Sequence, residues 1–118
     1  MKVAITSQGD KLESPVDPRF GRAKYFIVLD TGSGAFSVLN NEQNLNSAHG
    51  AGIQAAKTVS EAAIEAVITG FVGPKAFSAL ETAGISVYTG ASGSVAGAVA
   101  AFKAGALAKA DAAVPIGE

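Results

Sequence analysis

Chemistry in this chain would have to start from a few polar and basic residues set among glycines. The stretch Asp17-Pro18-Arg19-Phe20-Gly21-Arg22-Ala23 places two guanidinium groups three residues apart. A guanidinium offers a planar fork of donors that matches an oxyanion in two-point fashion. The same stretch also reads as an ordered loop in which Asp17 pairs with the arginines, and residue types alone leave both readings open. His49-Gly50-Ala51-Gly52 carries the only histidine, at the start of an expected helix. Neutral imidazole is a good ligand for iron or zinc, and a helix start adds free N–H groups and positive potential. The plainer alternative is a histidine that sits near the N-cap without a ligand. Gly70-Phe71-Val72-Gly73-Pro74 opens a second helix and can present backbone donors. Turn geometry accounts for its glycines equally well. Ser92-Gly93-Ser94 could hold an anion, but helix capping by Ser94 is the simpler account.

Other chemistries find little support. One histidine, no cysteine and no nucleophile elbow leave Ser-His-Asp catalysis without its parts. A single imidazole cannot close a four-ligand zinc site. Neither a P-loop nor a Gly-x-Gly-x-x-Gly after a strand is present. The carboxylates are scattered, with Asp10, Glu13, Asp17 and Glu42 in loops and Glu61, Glu65 and Glu81 near helix ends or faces. A two-metal nuclease would need acidic residues within strands. Asp30 is the nearest candidate, and it falls at the wrong edge of the sheet.

The whole chain has 118 residues, 48% hydrophobic and 16% charged. That composition is globular, and the length suits one domain spanning residues 1–118. A formal net charge of −1 suggests neither a nucleic-acid nor a membrane-surface partner. No apolar run approaches the length of a membrane span, and Met1 to Ser7 does not resemble a signal peptide, so a cytoplasmic location is expected.

The elements that position these residues follow from periodicity. Lys2 to Ser7 alternates with Val3 and Ile5 on one face, which predicts strand 1. Lys24 to Asp30 is almost continuously apolar, as befits a strand buried on both faces. Thr31-Gly32-Ser33-Gly34 then turns the chain into a third strand over Ala35 to Leu39. The spacing of Ile53, Ala56, Val59 and Ser60 predicts a helix over roughly 50–62. Ala66 to Gly70 reads as strand 4. A helix over Pro74 to Ala83 has its proline in the first turn and Gly84 past its end. Strand 5 covers Ile85 to Thr89. A third helix, capped by Ser94, presents Val95, Val99 and Phe102 and stops at Gly105. The tail from Leu107 is alanine-rich and uninformative.

The expected architecture is an α/β fold: a five-stranded mixed sheet with strand 2 antiparallel, flanked by helices. Right-handed crossovers join its parallel strands. Ligands of open α/β sheets bind beyond the carboxyl ends of those strands. Strands 1, 4 and 5 end at that rim, and strand 2 begins there. Strand 3 ends there as well if it runs parallel to strand 1. The rim therefore collects the arginine loop, His49 and the glycine-rich turns.

At this point the residues resemble a known family. Ser14-Pro15-Val16-Asp17-Pro18-Arg19-Phe20-Gly21-Arg22-Ala23 with Tyr25-Phe26 is similar to the opening signature of the dinitrogenase iron-molybdenum cofactor biosynthesis family. So are His49 to Ala56, Val67-Ile68-Thr69-Gly70 running into Val72 to Phe77, and Ala83-Gly84-Ile85 with Val87-Tyr88. The likeness extends over about residues 1–107. It implies a ribonuclease-H-like arrangement. It also implies a non-catalytic protein that binds or carries an iron-molybdenum cofactor or its iron–sulfur precursor in nitrogen fixation, with cofactor-donating and cofactor-accepting proteins as partners. On that resemblance His49 would contact iron. Arg19, Phe20, Gly21, Arg22, Gly50, Gly52, Gly70 and Gly73 would surround an anionic cluster. The chain departs from the family pattern at two places. Ala63 stands where relatives commonly end the first helix with glycine, which predicts a different closure. Ser94-Val95-Ala96-Gly97 lacks the acidic residues often found there.

Two other functions compete. The same rim could recognise a partner protein as a regulatory or scaffolding domain without a cluster. It could also act on a small anionic metabolite, although no acid–base pair supports that.

Overall fold

The alternation along β1 (Lys2–Ser7) decides the layering of the molecule. In a computed structural model, which describes residues 1–42 and 50–113, Val3 and Ile5 face one side of a sheet and Ala4 the other. β2 (Tyr25–Asp30) splits in the same way, with Phe26 and Val28 on one face and Ile27 and Leu29 on the other. Both faces are covered, which is why this strand reads as a continuous apolar run. β3 (Phe36–Asn40) lies at the edge, and Phe36 and Val38 are exposed there. The remaining elements are α1 (Ala51–Glu61), β4 (Ala66–Ile68), α2 (Pro74–Thr82), β5 (Ser86–Thr89), α3 (Val95–Lys103) and β6 (Ala108–Lys109).

The sheet runs in the order β3-β2-β1-β4-β5-β6. β1, β4 and β5 are parallel, while β2 is antiparallel to both of its neighbours. One layer packs α1 and α2 on the sheet through Ala55, Ala56, Val59, Ala76 and Leu80. The opposite layer packs α3 through Val95, Ala98 and Val99. Phe102 meets Tyr88 edge-on, with ring centroids 4.8 Å apart.

The sheet has six strands where five were expected. The sixth is the two-residue β6, antiparallel to β5, with Tyr88 opposite Lys109 and Thr89 opposite Ala108. An exposed Ala-Lys pair in an alanine-rich tail has no β-branched residue and no alternation to betray it. The strand exists because β5 would otherwise present an open edge, and the tail reaches it: Ala110 N–H donates to the Val87 carbonyl at 2.8 Å. Of the residues whose spacing predicted α1, Ile53 is 43% exposed; the buried stripe is Ala51, Ala55, Ala56 and Val59.

Two ends of the expected elements behave differently. Ser94 caps α3 as expected, its hydroxyl accepting the Gly97 N–H at 3.0 Å. The closure of α1 corrects the sequence reading. Ala63 takes φ 60°, the left-handed conformation that a glycine would adopt. Ile64 N–H reaches the Val59 carbonyl at 3.4 Å and Ala63 N–H reaches the Ser60 carbonyl at 3.1 Å, a Schellman-type ending. An L-residue in this conformation costs roughly 1–2 kcal/mol, part of which glycine's looser unfolded chain gives back. Because Ala63 is exposed, Ala63→Gly removes no packing. It should raise stability by about 0.5–1 kcal/mol, seen as a thermal midpoint higher by roughly 2–5 °C. An unchanged or lower midpoint would contradict this geometry.

At the edge away from the rim, Asp30 organises the β2–β3 turn. Its carboxylate accepts the Gly32 N–H at 2.8 Å and the Ser33 N–H at 3.3 Å, and these bonds hold it below the usual carboxylate range. Among the described residues no helix is long and apolar enough to cross a membrane.

Candidate functional site

The rim beyond the carboxyl ends of β1, β4 and β5 gathers the segments singled out in the sequence. After β1 the chain folds back along this rim and is stitched to each strand end. Asp17 N–H donates to the Thr6 carbonyl at 2.9 Å and Val16 N–H to the Gly93 carbonyl at 2.8 Å. Phe71 N–H donates to the Pro18 carbonyl at 2.6 Å, and Phe20 N–H to the Phe71 carbonyl at 3.2 Å. Below it, Thr6 Oγ1 donates to the buried Asp17 carbonyl at 2.6 Å and lies 2.9 Å from Thr69 Oγ1. β2 starts at the same rim, Tyr25 opposite Ser7, and β3 ends there, Asn40 opposite Tyr25.

Glycine lets three backbones meet. A Cβ on Gly21 would stand 2.9 Å from the N and Cα of Gly52, in the first turn of α1. A Cβ on Gly52 would stand 2.9 Å from the Cβ of Ala76, in the first turn of α2. The arginine loop, the start of α1 and the start of α2 therefore press together with no room for a side chain on Gly21 or Gly52. Gly70 makes the same kind of contact deeper down, where its Cβ would meet Pro18 at 2.8 Å.

Two open clefts result. The first, about 470 Å³, is lined by Gly21 and Arg22, by Gly50 to Ile53 and by Gly73 to Ala76. The second, about 430 Å³, is lined by Gln8, Asp17, Pro18, Arg19, Arg22 and Lys24. Arg22 borders both. In the first cleft the N-caps of α1 and α2 are Gly50 and Gly73, and neither supplies a side-chain cap. Neither helix has an acidic residue in its first turn, and α2 places Lys75 there. A lysine at the positive end of a helix is disfavoured by the helix dipole unless negative charge is brought to it. Two helix starts and two cationic side chains thus border one opening.

The expected site residues separate into groups. Gly21, Arg22, Gly50, Gly52 and Gly73 line the first cleft. Arg19 lies in the second, its exposed guanidinium Nε 3.7 Å from Oδ1 of the buried Asp17, which also accepts the Arg19 N–H at 2.9 Å. The loop-pairing alternative is therefore realised between Asp17 and Arg19. Phe20 points inward, 2% exposed, with its ring centroid 5.6 Å from that of Phe26. Gly70 is buried beneath Pro18. His49 lies outside the described residues. Among those described, no group of three His, Cys, Asp or Glu side chains could hold a metal ion. Lys24 and Lys75 were missed from the sequence, though a lysine directly after a helix-opening proline was a usable signal.

Comparison with known proteins places this arrangement. Residues 1–105 match the dinitrogenase iron-molybdenum cofactor family. The chain belongs to that family. Among solved structures, the apo form of the orange protein from Desulfovibrio gigas superimposes with a TM-score of 0.92 at 39% identity, covering 95% of this chain and 94% of that one. A candidate NifB protein from Thermotoga gives 0.81 at 40% identity, covering 92% and 91%. An uncharacterised protein of Methanocaldococcus jannaschii is 29% identical over 112 residues, 92% of this chain and 91% of that protein. The dinitrogenase iron-molybdenum cofactor family is associated with cofactor binding or biosynthesis, and the match takes in the arginine loop and both glycine-opened helices.

Proposed function

We propose that this protein binds an anionic metal–sulfur cluster, the iron-molybdenum cofactor or an iron–sulfur precursor of it, and passes it on without transforming it. The observation that carries the reading is the first cleft, where two helix starts with glycine N-caps share an opening with Arg22 and Lys75. Helix N-termini and guanidinium groups both favour negative charge, and together they suit an extended anionic surface better than a single oxyanion. The chain has no cysteine, so no thiolate competes to retain the cargo. His49 directly precedes Gly50 in sequence and is assigned the iron contact in this reading. Cofactor-donating and cofactor-accepting proteins are its proposed partners, and nitrogen fixation and the cytoplasm its proposed setting. The order of the first five strands, with β2 antiparallel, supports the ribonuclease-H-like arrangement that the family resemblance implies.

The test is anaerobic incubation with a thiolate-ligated four-iron four-sulfur cluster, followed by gel filtration and visible absorbance. Wild-type protein should elute coloured, and His49→Ala should release the colour faster. If both proteins elute colourless, carriage of a cluster loses its basis. A second reading, a regulatory or scaffolding domain, draws on Ile53 and Phe71, both more than one-third exposed beside the rim. Colourless wild-type protein would favour it.

A further inference from the structure

Asn41 follows β3 and is fully buried at the rim. Its side-chain Nδ2 donates to the Ala23 carbonyl at 2.8 Å and toward the Gly21 carbonyl at 3.4 Å. Its main-chain N–H donates to the Lys24 carbonyl at 2.9 Å. An amide NH₂ carries two donors and can serve two carbonyl oxygens; a hydroxyl can serve one and an apolar side chain none. The two carbonyls belong to the residues on either side of Arg22. That stretch is a turn outside any helix or strand, so its position depends on contacts of this kind. Asn41 lines neither cleft.

We infer that Asn41 is a positioning residue: it fixes the Arg22 turn between the two clefts and so sets anion affinity without touching the anion. The inference rests on the anion-binding reading above. Its physical basis is leverage. Gly21 already lies against the backbone of Gly52, so a turn that loses its grip on both sides of Arg22 can move only away from the start of α1. That movement widens the first cleft and takes the guanidinium out of register with the helix start.

The experiment is a double-mutant cycle on the full chain, with the thiolate-ligated four-iron four-sulfur cluster as probe and visible absorbance as readout. Asn41→Leu keeps the volume and removes both donors. It should weaken uptake about tenfold in the wild-type background and by less than about twofold when Arg22→Gln is already present, because the two residues act as one unit. Amide resonances of Gly21, Arg22 and Ala23 should shift and broaden in Asn41→Leu while those of α3 stay in place. If Asn41→Leu does not fold, Asn41→Ser, which keeps one donor, carries the same cycle with a smaller loss. Unchanged affinity in Asn41→Leu overturns the inference and leaves cluster binding standing. An equal loss with and without Arg22 also overturns it, since Asn41 would then act through the fold at large. Wild-type protein that takes up no cluster overturns the anion-binding reading, and this inference with it.

Discussion

Reversing both cations of the first cleft, Arg22→Glu with Lys75→Glu, should reduce cluster uptake by roughly 100-fold or more. Near a protein surface a unit charge a few ångströms from an anion contributes on the order of 1–4 kcal/mol, and reversal replaces attraction with repulsion. Screening and the open shape of the cleft lower the figure, so about 1–2 kcal/mol for each position is reasonable, or roughly tenfold each. The helix starts add to the effect, because the introduced carboxylates would satisfy the same N–H groups that the anion would use. The control is Lys57→Glu, an exposed position on α1 outside both clefts, which changes net charge per site equally. Lys75 is exposed and Arg22 only half-buried, so the double variant should remain folded. Uptake by the double variant equal to that of Lys57→Glu would remove the first cleft as the binding place. Charge reversal of Arg19 should matter less, because Asp17 already neutralises part of its charge.

Phe20→Ala should lower stability by about 3–5 kcal/mol, the usual cost of emptying a buried aromatic site. In a chain of this length that is a thermal midpoint lower by roughly 10–25 °C. The ring lies between the sheet and the helices α1 and α2, against Phe26, so the lost contacts come from the core rather than the cleft. Phe20→Leu separates this from a role in binding. It keeps most of the apolar volume, should cost much less than the alanine variant, and should take up cluster as wild type does. A leucine variant of near-normal stability that no longer binds would place the aromatic ring in contact with cargo.

The two predictions treat neighbours in sequence very differently, although both sit in one motif. Arg22 and Phe20 are two residues apart and equally prominent in the resemblance, yet one borders both clefts and the other is in the core. Residue type favours burial of a phenyl ring over a guanidinium, but spacing does not show which way either side chain points. A loop has no fixed side-chain period, so the direction of each residue is set by what it is hydrogen-bonded to. Here the bonds joining Phe20 and Phe71, and Phe71 and Pro18, decide it.

Periodic elements were legible for the opposite reason. β1, β2 and β4 are covered on both faces and β5 buries alternate residues, so continuous or alternating apolar runs record that these segments are strands. Strand direction and the handedness of the crossovers suffice to gather the arginine loop and the glycine-opened helices at one rim. β6 left no such record: its two residues pair through the backbone alone and bury no side chain. The same holds for the left-handed Ala63, where a tertiary ending of α1 overrides the residue's own preference.

What the order of residue types settles here is the kind of fold, the edge of the sheet where the arginine loop and the glycine-opened helices meet, and the absence of thiolates. These depend on side-chain pattern and composition, which are local. Which glycines serve close packing and which border an opening, that Arg19 lies against Asp17, and that Lys75 and Arg22 border one cleft depend on distances between segments brought together by folding. Such distances come from how the layers pack, and close packing has no short-range signature that a single sequence could carry.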